Sequence, residues 1–267
     1  MLNKTISFIG TGKMATALIS SIYRNKLNYE ITASDHKEEN LKNIKSKFSK
    51  ITTTLNNKEA VKKSDIIFIC VKPQVIKEVL NEIKSEIKNQ LIVSIAAGIK
   101  IKNIEKIIGK KRVIRVMPNV NCLVGEMAAG FAANIQVTKK DIKEISNLLN
   151  SAGMSFFIKE EMMDAMGVIG PGTGPAFFSL FIKYLAEAGM KKGLSLEMAL
   201  KVVAQTALGT GKLILEKNLS PDEIISMVAS KKGTTVAGLK ILEKNKLKVI
   251  IQDTVNAAYK RSKELGK

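Results

Sequence analysis

Residues 5–15 read TISFIGTGKMA, an apolar run followed at once by a glycine-rich turn. The residues before Gly10 predict a buried strand, and those from Lys13 onward carry apolar side chains at helical spacing. Gly10 permits a tight turn, Gly12 lets the backbone approach a pyrophosphate, and the small Ala15 lets the helix pack close to the strand. The stretch therefore predicts a dinucleotide-binding turn at a helix start. A plain glycine turn is the alternative.

Strand-like and helical segments alternate on the carboxyl side of this turn. DIIFICV at 65–71 predicts a buried strand, and Leu91–Ala96 and Val113–Met117 predict two more. After about residue 158 the chain shows only helical patterns. Alternation of this kind predicts a mostly parallel sheet covered on both faces. The expected fold is α/β: an N-terminal doubly wound Rossmann-type domain at 1–158, followed by an all-α domain at 159–267.

Composition excludes several classes of protein. The 267 residues carry a formal charge of +19, but the lysines are scattered at helical spacing and aromatic residues make up only 5%, so nucleic-acid binding is not expected. One histidine and two cysteines cannot form a zinc cluster, and we expect no metal. No unbroken apolar run reaches eighteen residues and the first residues do not resemble a secretory signal, so we expect no membrane span. The well-separated Cys70 and Cys122 do not form a disulfide framework, so we expect a cytoplasmic location.

The end of the second predicted strand leaves the cofactor open. Asp35 lies 20 residues after Ala15, where an acidic side chain binds the ribose 2′-hydroxyl of NADH. Ser34, His36 and Lys37 could instead surround the 2′-phosphate of NADPH. Asp35 could also simply cap the next helix.

Three further loops follow predicted strands at the same edge of the sheet. They read VKPQ from Val71, SIAAG from Ser94 and MPN from Met117. Ligands of open parallel sheets bind beyond the carboxyl ends of the strands, so these loops should surround the nicotinamide. The predicted cofactor-binding residues are Gly10, Thr11, Gly12, Lys13, Met14, Ser34, Asp35, Val71, Lys72, Pro73, Ala96, Ala97, Gly98 and Asn119.

The ordered motifs resemble one enzyme family from end to end. GTGKM, VKPQ, SIAAG, RVMPN, GPGTGPA, QTALGT, KKGTTVAGL and AAYKRSKEL are similar to pyrroline-5-carboxylate reductase, and residues 233–239 are the most diagnostic. The resemblance implies hydride transfer from NADPH or NADH to the C=N bond of 1-pyrroline-5-carboxylate, which gives L-proline. It also implies a homodimer built from the helical domain, often assembled into a decamer, with a site that combines the cofactor of one subunit with helical residues of its partner.

The resemblance assigns the substrate site to the helix that starts near Gly233. A small cyclic imine with one carboxylate needs free backbone N–H groups for the carboxylate and a donor for the imine nitrogen. Gly233 and Thr234 would hold the carboxylate, Thr235 would donate to the nitrogen as the catalytic residue, and Thr173 would contact the substrate. The alternative is that both threonines only cap their helix.

The chain departs from the family pattern at three places. Val120 and Asn121 replace the threonine and proline of MPNTP, and Phe177 replaces a tyrosine. Lys231 and Lys232 replace the proline and glycine of SPGGTT beside the expected anion site. These changes could alter affinity or substrate choice without changing the class of reaction.

Two other functions remain as alternatives. A 3-hydroxyacid dehydrogenase shares the order of domains, but Asn218 and Asn245 do not lie in a convincing version of the KxxxN pattern that those enzymes carry. A non-catalytic dinucleotide-sensing protein would use the glycine-rich turn and would not need Thr234 or Thr235.

Overall fold

The amino-terminal part of the chain forms one eight-stranded sheet. The computed structural model describes residues 4–265. The strands are β1 (Lys4–Ile9), β2 (Tyr29–Ser34), β3 (Thr52–Thr54), β4 (Ile66–Ile69), β5 (Leu91–Ser94), β6 (Val113–Met117), β7 (Met127–Ala133) and β8 (Gly153–Phe157). The helices of this part are α1 (Lys13–Arg24), α2 (Glu38–Lys47), α3 (Asn57–Lys62), α4 (Ile76–Ile83), α5 (Ile101–Ile108) and α6 (Lys139–Asn150).

The order of the strands confirms the predicted Rossmann-type topology. The sheet runs β3-β2-β1-β4-β5-β6-β7-β8, and the first six strands in this order are parallel. β7 is antiparallel to β6 and parallel to β8. The strand order reverses between β1 and β4, so the loops after these strands meet at the switch point where ligands bind in such sheets.

Helices cover both faces of the sheet, because the strands carry apolar side chains on both faces. One core contains Phe8 and Phe68, whose rings stack with centroids 4.9 Å apart. The other core contains Ile67, Ile69 and apolar residues of α4 and α5. Near-continuous apolar strands of this kind are typical of parallel sheets buried on both faces.

Several elements lie where the sequence predicted none. These are β3, α3, α5, β7, α6 and β8. The apolar spacing of residues 75–87 predicts one helix, but α4 ends at Ile83. β7 reads MAAGFAA, and such small residues lack the β-branched signal that identified the other central strands.

The carboxyl-terminal part is helical, as predicted. Its helices are α7 (Met163–Ile169), α8 (Gly174–Met190), α9 (Leu196–Lys217), α10 (Pro221–Val228), α11 (Thr234–Lys244) and α12 (Leu247–Leu265). Gly174–Ala258 forms a compact unit, while the end of α12 belongs to the unit that contains the sheet. Many large apolar side chains of α8 and α9 are exposed, among them Phe178 at 67% and Leu185 at 59%.

Two helical stretches are long and apolar enough to cross a membrane by length and composition alone. They are Glu160–Met190 and Leu196–Lys217, and only 22% and 6% of their most apolar windows are buried. The absence of a membrane span expected from the sequence is therefore not confirmed. The exposed apolar surface requires a covering, which lipid or another protein chain could supply.

Candidate active site

A cleft lies at the carboxyl edge of the parallel strands and has a volume of about 340 Å³. The turn after β1, the loops after β4 and β5, and the end of β6 line it. The predicted cofactor-binding residues that it brings together are Gly12, Lys13, Met14, Val71, Lys72, Pro73, Ala96, Ala97 and Gly98. Two larger cavities, of about 660 and 670 Å³, lie at the opposite edge, where the amino ends of parallel strands do not form the ligand crevice.

Gly10 holds the first turn close to the neighbouring strand. Its φ is +90°, and a Cβ atom there would lie 2.9 Å from the carbonyl oxygen of Cys70. A larger residue would be strained in both respects, so the sequence GTGKMA forms this turn because Gly10 has no side chain.

The start of α1 is suited to a phosphate group. Gly12 is the N-cap, no side chain caps the helix, and the first turn has no acidic residue. Ala15 is fully buried, which lets α1 pack close to the sheet. Unpaired N–H groups and the helix dipole bind anions at such a terminus, and exposed Lys13 adds positive charge.

Asp35 is engaged within the protein. Its Oδ2 accepts hydrogen bonds from the backbone N–H and the hydroxyl of Thr11, both at 2.9 Å. Its Oδ1 accepts from the N–H of Lys37 and the side-chain amide of Asn40, both at 3.0 Å. Burial raises the pKa of this carboxyl, but the four hydrogen bonds outweigh that effect and hold the pKa below its usual value.

The groups beside Asp35 differ in exposure. The Ser34 hydroxyl is buried and donates to Oδ1 of Asn57 at 2.7 Å. The His36 side chain is 82% exposed, with Nδ1 3.4 Å from Oδ1 of Asp35. Lys37 is exposed as well. The carboxyl end of β2, residues 34–37, is called the rim. It exposes two basic side chains, His36 and Lys37, while the carboxylate of Asp35 and the hydroxyl of Ser34 turn inward.

The remaining predicted residue of the cofactor set lies between β6 and β7. Asn119 is 6% exposed, and its Oδ1 accepts a hydrogen bond from the N–H of Ala128 at 3.2 Å. It holds the turn after β6 in place.

One charged residue of the cleft was not predicted from the sequence. Arg115 on β6 is only 4% exposed, lines the cleft, and places its Nη1 3.2 Å from Oε1 of Glu160. The available signal was a charged residue inside the apolar strand VIRVM.

The predicted substrate-binding residues lie elsewhere along the chain. Gly233 is the N-cap of α11, and Thr234 and Thr235 form its first turn. No side chain caps α11 and its first turn has no acidic residue, whereas Ser220 and Glu223 form a complete capping box on α10. The Thr173 hydroxyl donates to the carbonyl of Val168.

The chain is similar to pyrroline-5-carboxylate reductases over its whole length. Residues 160–265 match the family described as pyrroline-5-carboxylate reductase dimerisation, and residues 5–98 match NADP oxidoreductase coenzyme F420-dependent. A pyrroline-5-carboxylate reductase of Methanosarcina acetivorans is 36% identical, with 100% of both chains covered.

Solved structures agree with the sequence comparison. A pyrroline-5-carboxylate reductase from Coxiella burnetii has a TM-score of 0.95 at 30% identity, with 100% of both chains covered. The Plasmodium falciparum pyrroline carboxylate reductase with NADP bound has a TM-score of 0.86 at 32% identity, again with 100% of both chains covered.

Replacement of Asp35 by asparagine tests the network around the turn. We expect Asp35→Asn to lower the free energy of unfolding at pH 7 by roughly 1–3 kcal/mol, because hydrogen bonds to a buried charge are lost. The pKa of Asp35 is lower in the folded protein than in the unfolded chain, where it is about 3.9. The ionised carboxyl therefore contributes its full stabilisation above this unfolded-state pKa, and the stabilisation is lost as the pH falls through the pKa of the folded state.

Denaturant unfolding of both proteins between pH 7 and pH 3 measures this difference. The gap between wild type and Asp35→Asn should narrow at the acid end, while Asp253→Asn, which changes an exposed aspartate, should leave stability nearly unchanged. A gap that stays constant down to pH 3 would contradict the role given to the ionised carboxyl.

Proposed function

Since the chain belongs to the pyrroline-5-carboxylate reductase family, we propose that its two uncapped helix starts bind the two ligands of that reaction. It is an NAD(P)H-dependent oxidoreductase that reduces the C=N bond of 1-pyrroline-5-carboxylate to give L-proline. The observation that carries the assignment of sites is the contrast between α11, which has no capping side chain, and α10, which has a complete capping box.

The first helix start is proposed to hold the dinucleotide. The N–H groups after Gly12 bind the pyrophosphate, and Lys13 and Lys72 neutralise its charge. The loops Val71–Pro73 and Ala96–Gly98 surround the nicotinamide end, where Asn119 fixes the neighbouring turn. When bound, the reduced nicotinamide supplies the hydride for the imine carbon.

We infer that NADPH is the preferred cofactor. A ribose 2′-hydroxyl would have to compete with four internal donors for the carboxylate of Asp35. The side chains of His36 and Lys37 are exposed and can approach a 2′-phosphate, although Nδ1 of His36 already lies 3.4 Å from Oδ1 of Asp35. Ser34 and Thr11 support this rim from inside.

The second helix start is proposed to hold the substrate. The carboxylate of a small cyclic imine lies against Gly233 and accepts a hydrogen bond from the N–H of Thr234, since the N–H of Gly233 already donates to the carbonyl of Ser230 at 3.0 Å. Lys231 and Lys232 add positive charge. The hydroxyl of Thr235 donates to the imine nitrogen, which gains electron density or a proton during reduction. Thr173 is proposed as a further substrate contact.

An activity assay tests both the reaction and the cofactor. We expect purified protein to oxidise NADPH when 1-pyrroline-5-carboxylate is added, and to form proline in equal amount. The kcat/KM measured with NADPH should exceed that with NADH. Protein that binds NADPH but never consumes it with this imine would fit a dinucleotide sensor instead, and a preference for NADH would reverse the inference from Asp35.

Substitution of Thr235 tests the assigned donor. Thr235→Ala should lower kcat by about 10²–10³-fold, the usual cost of losing one donor to a developing charge, while the dissociation constant for NADPH stays unchanged. Thr235→Ser keeps the hydroxyl and should restore most of the rate. Thr254→Ala is a matched control, because the Thr254 hydroxyl only donates to the Ile250 carbonyl. Equal turnover in wild type and Thr235→Ala would refute the role.

The chain associates with copies of itself through its dimerisation region. We propose that the division lies between residues 1–158 and 159–267, and that the exposed apolar side chains of α8 and α9 are covered by a second copy. The dimers are proposed to assemble further into a decamer in the cytoplasm, with no membrane and no nucleic acid bound.

Analytical ultracentrifugation tests the assembly. At micromolar concentration and without detergent, we expect a species with ten times the 29.2 kDa mass of one chain. A dimer with twice this mass is the smallest species expected. An active monomer would contradict the shared helical core. Flotation of the protein with lipid vesicles would show that lipid covers the apolar helices instead.

A further inference from the structure

Within the described residues 4–265, Arg115 is the one arginine whose side chain is buried. It lies on β6, level with Ser94 of β5 and Ala132 of β7. Its side chain is 4% exposed and it lines the cleft. Burial of a guanidinium is costly unless its charge and its N–H groups are matched.

Glu160 balances the charge of Arg115 but accepts a hydrogen bond from only one of its nitrogens. Its Oε1 lies 3.2 Å from Nη1 of Arg115 and also accepts the N–H of Ile101, the first residue of α5, at 2.8 Å. A guanidinium has five N–H donors. Within residues 4–265, this carboxylate is the one hydrogen-bond acceptor that the side chain of Arg115 contacts. The cleft therefore contains a nearly buried cation with donors to spare.

The position of Arg115 selects which part of a dinucleotide it can reach. β6 is three strands away from β1 in the sheet. At about 4.8 Å between neighbouring strands, that separation is ~14 Å. The pyrophosphate belongs at the start of α1, directly after β1, so it is too distant. Arg115 is instead beside the loop Ile95–Gly98 and the residues Met117 and Pro118, at the nicotinamide end.

We propose that Arg115 is a cofactor-binding residue whose guanidinium, held by Glu160, donates a hydrogen bond to the carboxamide oxygen of the nicotinamide. This inference rests on the proposed function, since it requires a nicotinamide in the cleft. The carboxamide is the acceptor of the nicotinamide ring, and fixing it orients the ring face toward the substrate. Glu160 is a positioning residue, because it acts through Arg115 and through the start of α5.

Binding of two ligands separates this role from a merely structural one. The probes are NADPH and 2′-phospho-ADP-ribose, a fragment with the same phosphates but no nicotinamide. We expect Arg115→Met to weaken NADPH binding at least tenfold in calorimetric titrations and to leave the affinity for the fragment unchanged. A general disturbance of the cleft would weaken both ligands alike, and equal affinity of the variant and wild type for NADPH would also overturn the proposal.

A cofactor analogue tests the proposed atom. Thio-NADPH carries sulfur, a weaker acceptor, in place of the carboxamide oxygen. Wild type should bind NADPH several-fold more tightly than thio-NADPH, and Arg115→Met should lose that discrimination. Equal discrimination by both proteins would place the contact elsewhere.

Variants at Glu160 keep the test decisive if Arg115→Met does not fold. Glu160→Gln can still accept from Ile101 but lacks the charge that holds the guanidinium, so we expect several-fold weaker NADPH binding with fragment affinity unchanged. Glu161→Gln is the matched control at the exposed neighbouring position and should bind both ligands as wild type does. Identical NADPH affinities for the two glutamine variants would refute the role of Glu160. Failure of the proposed function is distinct, since wild type itself would then show no turnover.

Discussion

The close approach of Gly10 to the carbonyl of Cys70 is the constraint on which the cleft depends. It joins the turn after β1 to the end of β4 at the point where the strand order reverses. With φ at +90°, the backbone turns directly from strand into α1, so the uncapped start of that helix faces the same edge as the loops after β4 and β5. The order of the strands therefore determines where the cleft lies, and individual side chains determine what it binds.

Asp35 contributes to this arrangement from inside the protein. A residue at its position is expected to read the ribose of a dinucleotide, yet here its carboxylate holds the turn after β1 through Thr11 and the start of α2 through Lys37. One carboxylate thus fixes two loops of the rim. The exposed side chains at this rim are those of Lys37, a cation, and His36.

The sequence predicted the central strands and the glycine-rich turn because apolar β-branched runs and glycine spacing are local signals. It missed β7, whose alanine and glycine residues are buried by their neighbours in the sheet rather than by their own hydrophobicity. It also missed Arg115, because only the fold reveals that Glu160, 45 residues later, reaches this strand. The partners of Asp35 could not be predicted for the same reason: hydrogen bonds between distant residues leave no periodic pattern.

The positive charge of the chain has a consistent place in this picture. Lys13, Lys72 and Arg115 line the cleft, and no acidic residue does so within the described part of the chain. Lys231 and Lys232 precede the uncapped start of α11, and Lys232 adopts a φ of +62°, where glycine is favoured. A lysine in this left-handed conformation is less favourable than a glycine, but it places a positive charge beside the helix start. Both proposed ligands are anions, so a basic background attracts them while the unpaired N–H groups at the two helix starts supply the specific contacts.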